Sequence, residues 1–228
     1  MKSFDFTDWG LISYPIAYER QKSLFEEALQ KKTTGEKTIN TLIFCEHPNV
    51  ITIGKNGNSD NLLYPESILA EKNISLFHIE RGGDITYHGP GQLVAYPIFN
   101  LDTFQLGLKS YIHLLEEAVI KLLAIYDIHA ERLERATGVW IDTDKPEKAR
   151  KICAVGVKTS RYITMHGLAL NVNTNLDYFK FINPCGFIDK GVTSMQKELG
   201  ENVNMDIVKK QLLEIFYQEF LISYPATV

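Results

Sequence analysis

Cys185 is the residue of this sequence best suited to nucleophilic chemistry. It lies in the turn-like run NPCGF, where a thiol is reachable, whereas Cys45 and Cys153 lie within apolar runs and are predicted core cysteines. A free thiol is only a few per cent ionised near neutral pH, so a reactive Cys185 needs a neighbouring cation or base that lowers its pKa. The candidates are Lys151, Lys158, His88 and His166. The alternative is an inert loop cysteine.

The segment from Arg81 to Pro97 is a second candidate site. Its sequence is RGGDITYHGPGQLVAYP, with glycines at 82, 83, 89 and 91 around a short strand-like run. Glycine loses extra backbone entropy on folding, so the chain must turn tightly or approach another group closely there. Tyr87 and His88 add a hydroxyl and an imidazole to this open backbone. A pair of hairpin turns explains the same glycines without any function.

Residues 151–173 form a third segment, predicted as two strands joined by a polar turn at Thr159–Tyr162. Strict alternation places Lys151 on the face that carries Cys153, and Lys158 on the opposite face. Lysine or arginine occupies positions 145, 148, 150, 151, 158 and 161, with Glu147 as the one acid in that stretch. This basic stretch predicts a docking surface for an acidic partner or, alternatively, a solvated strand edge protected by lysines.

The composition excludes several classes of protein. Hydrophobic residues make up 45% and charged residues 23% of 228, as in ordinary globular proteins. A net charge of −4 gives no overall electrostatic footprint for nucleic acid or anionic lipid. Three widely spaced cysteines indicate reduced thiols and a cytoplasmic protein. The motifs C-x-x-C, H-E-x-x-H and G-x-S-x-G are absent, so neither a zinc site nor a serine hydrolase is predicted.

The elements that position these segments follow from hydrophobic periodicity. Amphipathic spacing predicts three helices, at Pro15–Leu29, Ser110–Tyr126 and Asp206–Leu221. Runs of β-branched and aromatic residues predict seven strands, at Leu42–Cys45, Val50–Ile53, Ile74–Ile79, Leu93–Phe99, Gly138–Ile141, Ile152–Val157 and Leu168–Val172. Several strands follow one another without a helix between them, which favours an α+β fold with a mixed or antiparallel sheet. One domain spanning residues 1–228 is expected, because no repeat or linker interrupts the chain.

Together these segments resemble the lipoyl(octanoyl) transferases. The resemblance rests on RGGDITYHGPGQLVAYP, KICAVGVK, HGLALNVN and NPCGF followed by GVTS, in that order. The run HPNVITIGKNG and the helix before it match as well, so the resemblance covers most of the chain. It implies the fold of the catalytic modules of lipoate and biotin protein ligases, which is an α+β core with a larger mixed sheet and a second, smaller sheet.

The resemblance also implies an activity and its residues. Members transfer an octanoyl group from acyl carrier protein to a lysine of a lipoyl-accepting domain, through a thioester on the cysteine carried here by Cys185. Lys151 matches the lysine that lowers the pKa of that thiol, and Lys158 is the second candidate. The implied acyl-pocket residues are Arg81, Gly82, Gly83, Asp84, Ile85, Thr86, Tyr87, His88, Ala154, Val155, Gly156, Gly167, Leu168 and Ala169. Asp84 departs from the family pattern, which has a neutral or basic residue there.

The implied partners are acyl carrier protein and the lipoyl domains of 2-oxoacid dehydrogenase E2 subunits and of the glycine cleavage H protein. No nucleic acid, membrane, metal or cofactor is implied beyond the carrier's octanoyl-phosphopantetheine, and a monomer is expected. Two alternatives stay open. An ATP-dependent lipoate ligase on the same fold activates a free acid as an adenylate and does not need Cys185. A non-catalytic carrier-docking protein uses the basic stretch alone and never acquires an acyl group.

Overall fold

The computed structural model describes residues 3–183 and 190–221. Its helices are α1 (Tyr14–Thr34), α2 (Glu66–Glu71), α3 (Leu101–Phe104), α4 (Leu108–Ile125), α5 (Met195–Leu199) and α6 (Met205–Leu221). Its strands are β1 (Asp5–Leu11), β2 (Thr41–Glu46), β3 (Val50–Ile53), β4 (Ser75–His78), β5 (Ile85–His88), β6 (Gln92–Ile98), β7 (Glu131–Leu133), β8 (Ala136–Ile141), β9 (Arg150–Ser160), β10 (Ile163–Asn171) and β11 (Gly191–Val192). All three predicted helices and all seven predicted strands are present, whereas β1, β7 and β11 were not predicted.

The strands of the described residues form two sheets. The larger has the order β1-β2-β6-β10-β9-β8-β7, with β11 paired to β9, and the smaller has the order β4-β3-β5. In the larger sheet β1 runs parallel to β2 and β11 runs parallel to β9, while the other neighbours are antiparallel. In the smaller sheet β3 is parallel to β4 and antiparallel to β5. Both sheets are therefore mixed, as the α+β prediction allowed.

The helices cover the two faces of the larger sheet unequally. On one face α4 and α6 pack against the sheet, with Leu115 and Val119 of α4 and Leu212 of α6 fully buried. On the other face α1 contributes Phe25 and Ala28 to a smaller apolar cluster. Because α1 covers only part of its face, the smaller sheet and the chain before β5 occupy the rest.

The helix α1 begins and ends where its sequence dictates. Pro15 lies in its first turn, where a missing N–H costs nothing. Gly35 ends it with a φ of 77°, and its N–H bonds back to the carbonyls of Lys31 and Lys32. The helix therefore runs five residues beyond the predicted end at Leu29, because the polar last turns carry no apolar signal.

The described helices were also compared with the length and hydropathy that a membrane crossing requires. Even the long apolar helix α4 falls short of that requirement, and no described helix meets it.

Candidate active site

A cavity of about 300 Å³ lies between the larger sheet and the smaller one, on the face that α1 shares. Its lining brings together most of the residues implied by the family resemblance, from segments far apart in sequence. Those lining residues are Arg81, Gly83, Asp84, Ile85, Thr86, His88, Lys151, Ala154, Val155, Gly156, Gly167, Leu168 and Ala169. A cavity of this size lies at the lower end of the range for small-molecule sites.

Two of the implied pocket residues are placed behind the lining. Gly82 donates its N–H to the carbonyl of Val157 at 2.9 Å, which fastens the chain before β5 to β9. Tyr87 points away from the cavity into the core of the smaller sheet, where it stacks on Tyr178 at 5.1 Å and donates to Asn49 at 2.8 Å. Both residues build the wall and do not face the space inside it.

The other lining residues were not predicted as pocket residues, although His166 was a candidate to activate Cys185. They are Tyr14, Gln92, Val94, Tyr96, Arg135, Ala136, Thr137, Trp140, His166, Asn171, Phe179, Lys190, Gly191 and Val192. Several lie inside the motifs that carry the resemblance, namely Gln92 in HGPGQ, His166 and Asn171 in HGLALNVN, and Gly191 in GVTS. Those motifs were the available signal, whereas Tyr14 and Trp140 come from segments with no such signal.

Lys151 reaches the cavity because β9 is irregular. Val139 of β8 pairs with Cys153, but the next residue, Trp140, pairs with Lys151, so the register skips Ile152. This β-bulge turns Lys151 toward the face of Ala154 instead of the face of Cys153. The predicted strict alternation across this strand is therefore wrong. As a result Ile152 and Cys153 both enter the core under α4.

The Lys151 side chain lies along β8. Its ammonium donates to the carbonyl of Thr137 at 3.1 Å and sits 4.7 Å from the centre of the Trp140 ring. The indole of Trp140 is buried and donates to the carbonyl of Ala136 at 2.8 Å, which fixes the ring under the ammonium. Cation–π contact and a carbonyl acceptor both favour the charged form of lysine at this edge of the cavity.

Lys158 lies elsewhere. Its ammonium pairs with the carboxylate of Glu80 and sits 5.3 Å from the centre of the Phe25 ring of α1. It is absent from the lining, as far as the described residues define it. Glu80 is exposed and Lys158 is partly buried, and the hydrogen bond from Lys158 lowers the pKa of the Glu80 carboxyl. The structure thus separates the two lysines that the sequence left as alternatives.

Cys185, the predicted nucleophile, lies outside the described residues, as do its neighbours from 184 to 189. The other two cysteines are fully buried, as predicted, and burial raises the pKa of both the Cys45 and the Cys153 thiol. Neither supplies a thiolate near neutral pH.

A hydrogen-bonded polar cluster forms one wall of the cavity. The Nδ1–H of His88 donates to Gln92 at 2.7 Å, and Gln92 donates to Asn171 at 2.9 Å. His47 donates from Nδ1 to the carbonyl of Ile12 at 2.8 Å and accepts from the Tyr96 hydroxyl at 2.7 Å. Both partners of His47 come from segments far from it in sequence.

Burial keeps these imidazoles neutral. It lowers the pKa of His47 to about 4, and it lowers the pKa of His88 to about 3, with His47 as a further cause. Burial, followed by the Arg81 charge, lowers the pKa of His166 to about 3. This wall therefore presents polar but uncharged groups near neutral pH.

Asp84, which departs from the family pattern, has a structural role beside the cavity. Its carboxylate accepts the backbone N–H of Asn58 at 3.1 Å and the side-chain amide of Asn61 at 2.5 Å. The carbonyl of Asn61 in turn accepts the N–H of Asn183 at 2.8 Å. Asp84 thus holds the loop that contacts the last described residue before Cys185.

The basic stretch does not form one continuous surface. Arg150 pairs with Asp142 and, at 2.7 Å, with Glu198, while Lys158 pairs with Glu80. The strand β9 separates the residues at its two ends by about 35 Å. The acidic partners come from outside the stretch, so counting charges within it overstated its basicity. Because β9 is an interior strand of the sheet, these residues form neither the predicted strand edge nor one continuous docking patch.

Among the described residues, no group of three or more histidine, cysteine, aspartate or glutamate side chains is arranged to hold a metal ion.

Comparison with known proteins places this geometry in context. Residues 20–217 match the family described as the lipoyl protein ligase A/B catalytic domain. The octanoyltransferase of Parabacteroides distasonis is 56% identical to this chain, over 96% of the chain and 100% of its own length.

Solved structures share the fold at low sequence identity. The bi-partite lipoate protein ligase of Thermoplasma acidophilum has a TM-score of 0.72 at 18% identity, covering 100% of this chain and 87% of that one. The biotin protein ligase of Aquifex aeolicus has a TM-score of 0.54 at 14% identity, covering 95% and 70%. The predicted fold, a larger mixed sheet with a second smaller sheet as in these ligases, is confirmed.

Proposed function

This chain belongs to the octanoyltransferase family, whose members are acyltransferases, and from that premise we propose that it moves an octanoyl group from acyl carrier protein to a lysine of a lipoyl-accepting domain. The observation that supports this most is the position of Lys151. Its ammonium lies at the edge of a cavity whose lining continues along β9 to Gly156. An acyl chain in that cavity has its reactive end beside a fixed cation.

In the first step the Cys185 thiolate attacks the carbonyl carbon of the carrier's octanoyl thioester. A new carbon–sulfur bond forms at Cys185, the bond to phosphopantetheine breaks, and the departing thiolate takes a proton from the Lys151 ammonium, which leaves that lysine neutral. One thioester replaces another, so the step is close to isoenergetic and needs no ATP. The positive charge of Lys151 lowers the pKa of the thiol, and each unit increases the thiolate fraction about tenfold until ionisation is nearly complete.

In the second step the neutral ε-amine of the acceptor lysine attacks the acyl-enzyme. The carbon–nitrogen bond of an amide forms, the bond to Cys185 breaks, and Lys151 in its neutral form accepts the proton from the attacking amine. An amide is more stable than a thioester, which gives the cycle its direction.

The cavity walls suit an alkyl chain. Glycines 156 and 167 line the cavity, and neighbouring backbone lies close to them: a side-chain carbon at Gly156 would lie 2.9 Å from the carbonyl of Gly82. His88 and His166 are neutral, so this wall imposes no charge on the apolar cargo. Charged lining groups also include Arg135 and Lys190, and their charge favours a thiolate and a developing oxyanion.

The proposed partners are acyl carrier protein as donor and the lipoyl domains of E2 subunits and of the glycine cleavage H protein as acceptors. In support, the similar ligase of Thermoplasma acidophilum is described together with its E2 lipoyl domain. The proposed reaction uses no metal and no cofactor beyond octanoyl-phosphopantetheine. We propose that the chain acts as a monomer in the cytoplasm, where its thiols stay reduced.

An ATP-dependent ligase is the competing function, because ligases share this fold. A transfer assay with purified octanoyl carrier protein and a lipoyl domain, with and without ATP, separates the two. We expect transfer without ATP, and a loss on the order of a thousandfold or more in Cys185→Ser. Cys45→Ala, which removes a buried thiol, is the matched control and retains transfer. Activity that requires ATP and survives Cys185→Ser would establish the ligase instead.

A further inference from the structure

The strand β8 contains an irregularity directly beneath Lys151. In the pairing with β7, Arg132 lies opposite Val139 and Leu133 opposite Ala136, so two extra residues of β8, Thr137 and Gly138, bulge out of the ladder. Gly138 has a φ of 122°, which favours glycine. The peptide group between Thr137 and Gly138 is therefore turned out of the usual strand hydrogen bonds.

This single peptide group is bound on both sides. The N–H of Gly138 donates to Oε1 of Glu116 at 2.8 Å, in a buried contact. The carbonyl of Thr137 accepts from Nζ of Lys151 at 3.1 Å. The Glu116 carboxylate and the Lys151 ammonium are thus hydrogen-bonded to opposite sides of one rigid peptide group.

Glu116 is held firmly at its end of this arrangement. It lies on α4 and is 7% exposed, and its second oxygen accepts Nε of Arg132 at 3.1 Å. Arg132 also donates to the carbonyl of His113 at 2.9 Å and to Glu117 at 2.7 Å. The carboxylate therefore has an arginine and a backbone N–H as donors in a site that water scarcely reaches.

The Lys151 side chain packs closely against the same bulge at Gly138. A side-chain carbon added at Gly138 would lie 3.3 Å from Cε of Lys151 and 2.6 Å from the carbonyl oxygen of Cys153. The space that Lys151 occupies along β8 thus depends on the glycine. The bulge provides both the acceptor for the ammonium and the room for the side chain.

We propose that Glu116 is a positioning residue for Lys151, acting through the Thr137–Gly138 peptide. A carboxylate bound to the N–H of an amide increases the negative charge on its carbonyl oxygen, because hydrogen bonds in a chain polarise one another. The Thr137 carbonyl consequently holds the ammonium in place more strongly. The catalytic consequence rests on the proposed role of Lys151 in octanoyl transfer, whereas the hydrogen-bonded arrangement does not.

The test compares Glu116→Gln with Glu117→Gln. The first neutralises the carboxylate that binds the peptide without changing its shape, and the second neutralises a carboxylate that binds the same Arg132 but not the peptide. Both variants lose one negative charge beside one arginine. A purely structural role in holding the hairpin to α4 affects both in similar ways.

The first readout is the rate at which an amine-selective acylating reagent labels Lys151, followed across pH by peptide mass analysis. We expect Glu116→Gln to raise the labelling rate about three- to tenfold at a given pH, because the ammonium is held less strongly. Glu117→Gln stays within about twofold of the unmodified chain. Equal labelling profiles in the two variants would overturn the proposal.

The second readout is the pH profile of Cys185 alkylation, which we expect to shift upward in Glu116→Gln alone. Should that variant fail to fold, Glu116→Asp replaces it, because it keeps the charge but has a shorter side chain. We expect its Lys151 labelling rate to lie between those of the unmodified chain and Glu116→Gln. An unchanged labelling rate in a folded Glu116→Asp would count against the proposal. If the unmodified chain acquires no octanoyl group while Lys151 labelling still responds to Glu116→Gln, the proposed function fails and this inference stands. If octanoyl transfer is observed but Lys151 labelling does not respond to Glu116→Gln, the role of Glu116 is rejected and the proposed function stands.

Discussion

At the scale of single residues, the structure assigns different surroundings to two lysines that the sequence could not rank by physical argument. Lys151 reaches the cavity and rests on Trp140, whereas Lys158 is paired with Glu80 outside it. The bulge at Ile152 turns Lys151 onto the same face of β9 as Lys158. The two lysines therefore differ in their position along the strand and not in the face that they occupy. Strict alternation could not predict this, although a glycine inside a predicted strand, Gly138, is a known sign of a bulge.

Replacing each lysine tests this assignment. We expect Lys151→Ala to move the pH profile of Cys185 alkylation upward by about one unit, slowing alkylation roughly tenfold at fixed pH, because the thiolate loses its cation. Lys158→Ala is the matched control and leaves the profile in place. The measurement is iodoacetamide labelling followed by peptide mass analysis. A profile that moves in Lys158→Ala, or stays fixed in Lys151→Ala, would transfer the role to Lys158 or His166.

At the scale of elements, β10 is distorted where it passes the cavity. His166 has a φ of 64°, and β10 pairs with β6 only from Leu168 onward. Next to this interruption lies Pro97 of β6, which has no N–H to donate. The hydroxyl of Thr164 donates to the carbonyl of Pro97 at 2.8 Å and accepts the N–H of Phe99 at 3.0 Å, which repairs part of the interrupted ladder. The sequence shows that Pro97 lies in a predicted strand, but it does not show which strand lies next to it.

The distortion makes Gly167 irreplaceable. A side-chain carbon there would lie 2.2 Å from the carbonyl oxygen of Ala95, a backbone atom that cannot move aside. We expect Gly167→Ala to lower the free energy of unfolding by about 1–3 kcal/mol, as overpacking does. Gly191→Ala is the control, because its added carbon meets only ordinary contact at 3.5 Å. Urea unfolding measures both, and equal stabilities would show that β10 accommodates the extra carbon.

The loop held by Asp84 is a second element whose order depends on one side chain. We expect Asp84→Ala to speed amide hydrogen exchange in residues 57–62 about tenfold or more, because Asn58 and Asn61 both lose their acceptor. Asp60→Ala, in the same loop but bonded only to Asn58, changes exchange much less. Unchanged exchange in Asp84→Ala would mean that the loop is ordered by other contacts.

At the scale of the whole molecule, buried imidazoles connect stability to pH. The unfolded chain protonates His47, His88 and His166 near pH 6.5, while burial lowers their folded pKa values to about 4, 3 and 3. Between these values the unfolded state binds more protons, so stability is present above pH 6.5 and is lost as pH falls toward 4. Each imidazole contributes a slope of up to about 1.4 kcal/mol per pH unit.

Urea unfolding between pH 7 and pH 4.5 measures this loss. We expect His88→Gln, which keeps a hydrogen-bonding amide, to reduce the slope of the unfolding free energy against pH by up to about 1.4 kcal/mol per pH unit. His129→Gln is the control, because that imidazole is 88% exposed. A slope that is the same in all three proteins would indicate that carboxylates alone carry the acid sensitivity.

The sequence predicted more of the elements than of their arrangement. The sequence predicts α4 and β3 almost to the residue, because α4 buries an apolar face and β3 is a short run of β-branched residues that is buried throughout. It misses the edge strand β1, whose sequence DFTDWGL is half polar and pairs with β2 across the whole of α1. The cavity depends on contacts of the same long range, such as Gly82 with Val157, and only the family resemblance brought those segments together beforehand.

The central claim is that Cys185 carries the octanoyl group between two proteins. Intact-mass measurement of the chain, mixed with octanoyl carrier protein in the absence of ATP, tests it most directly. We expect one added octanoyl group, located on Cys185, removed by hydroxylamine and discharged by a lipoyl domain. An unmodified mass under these conditions, with transfer appearing only once ATP is supplied, would contradict it.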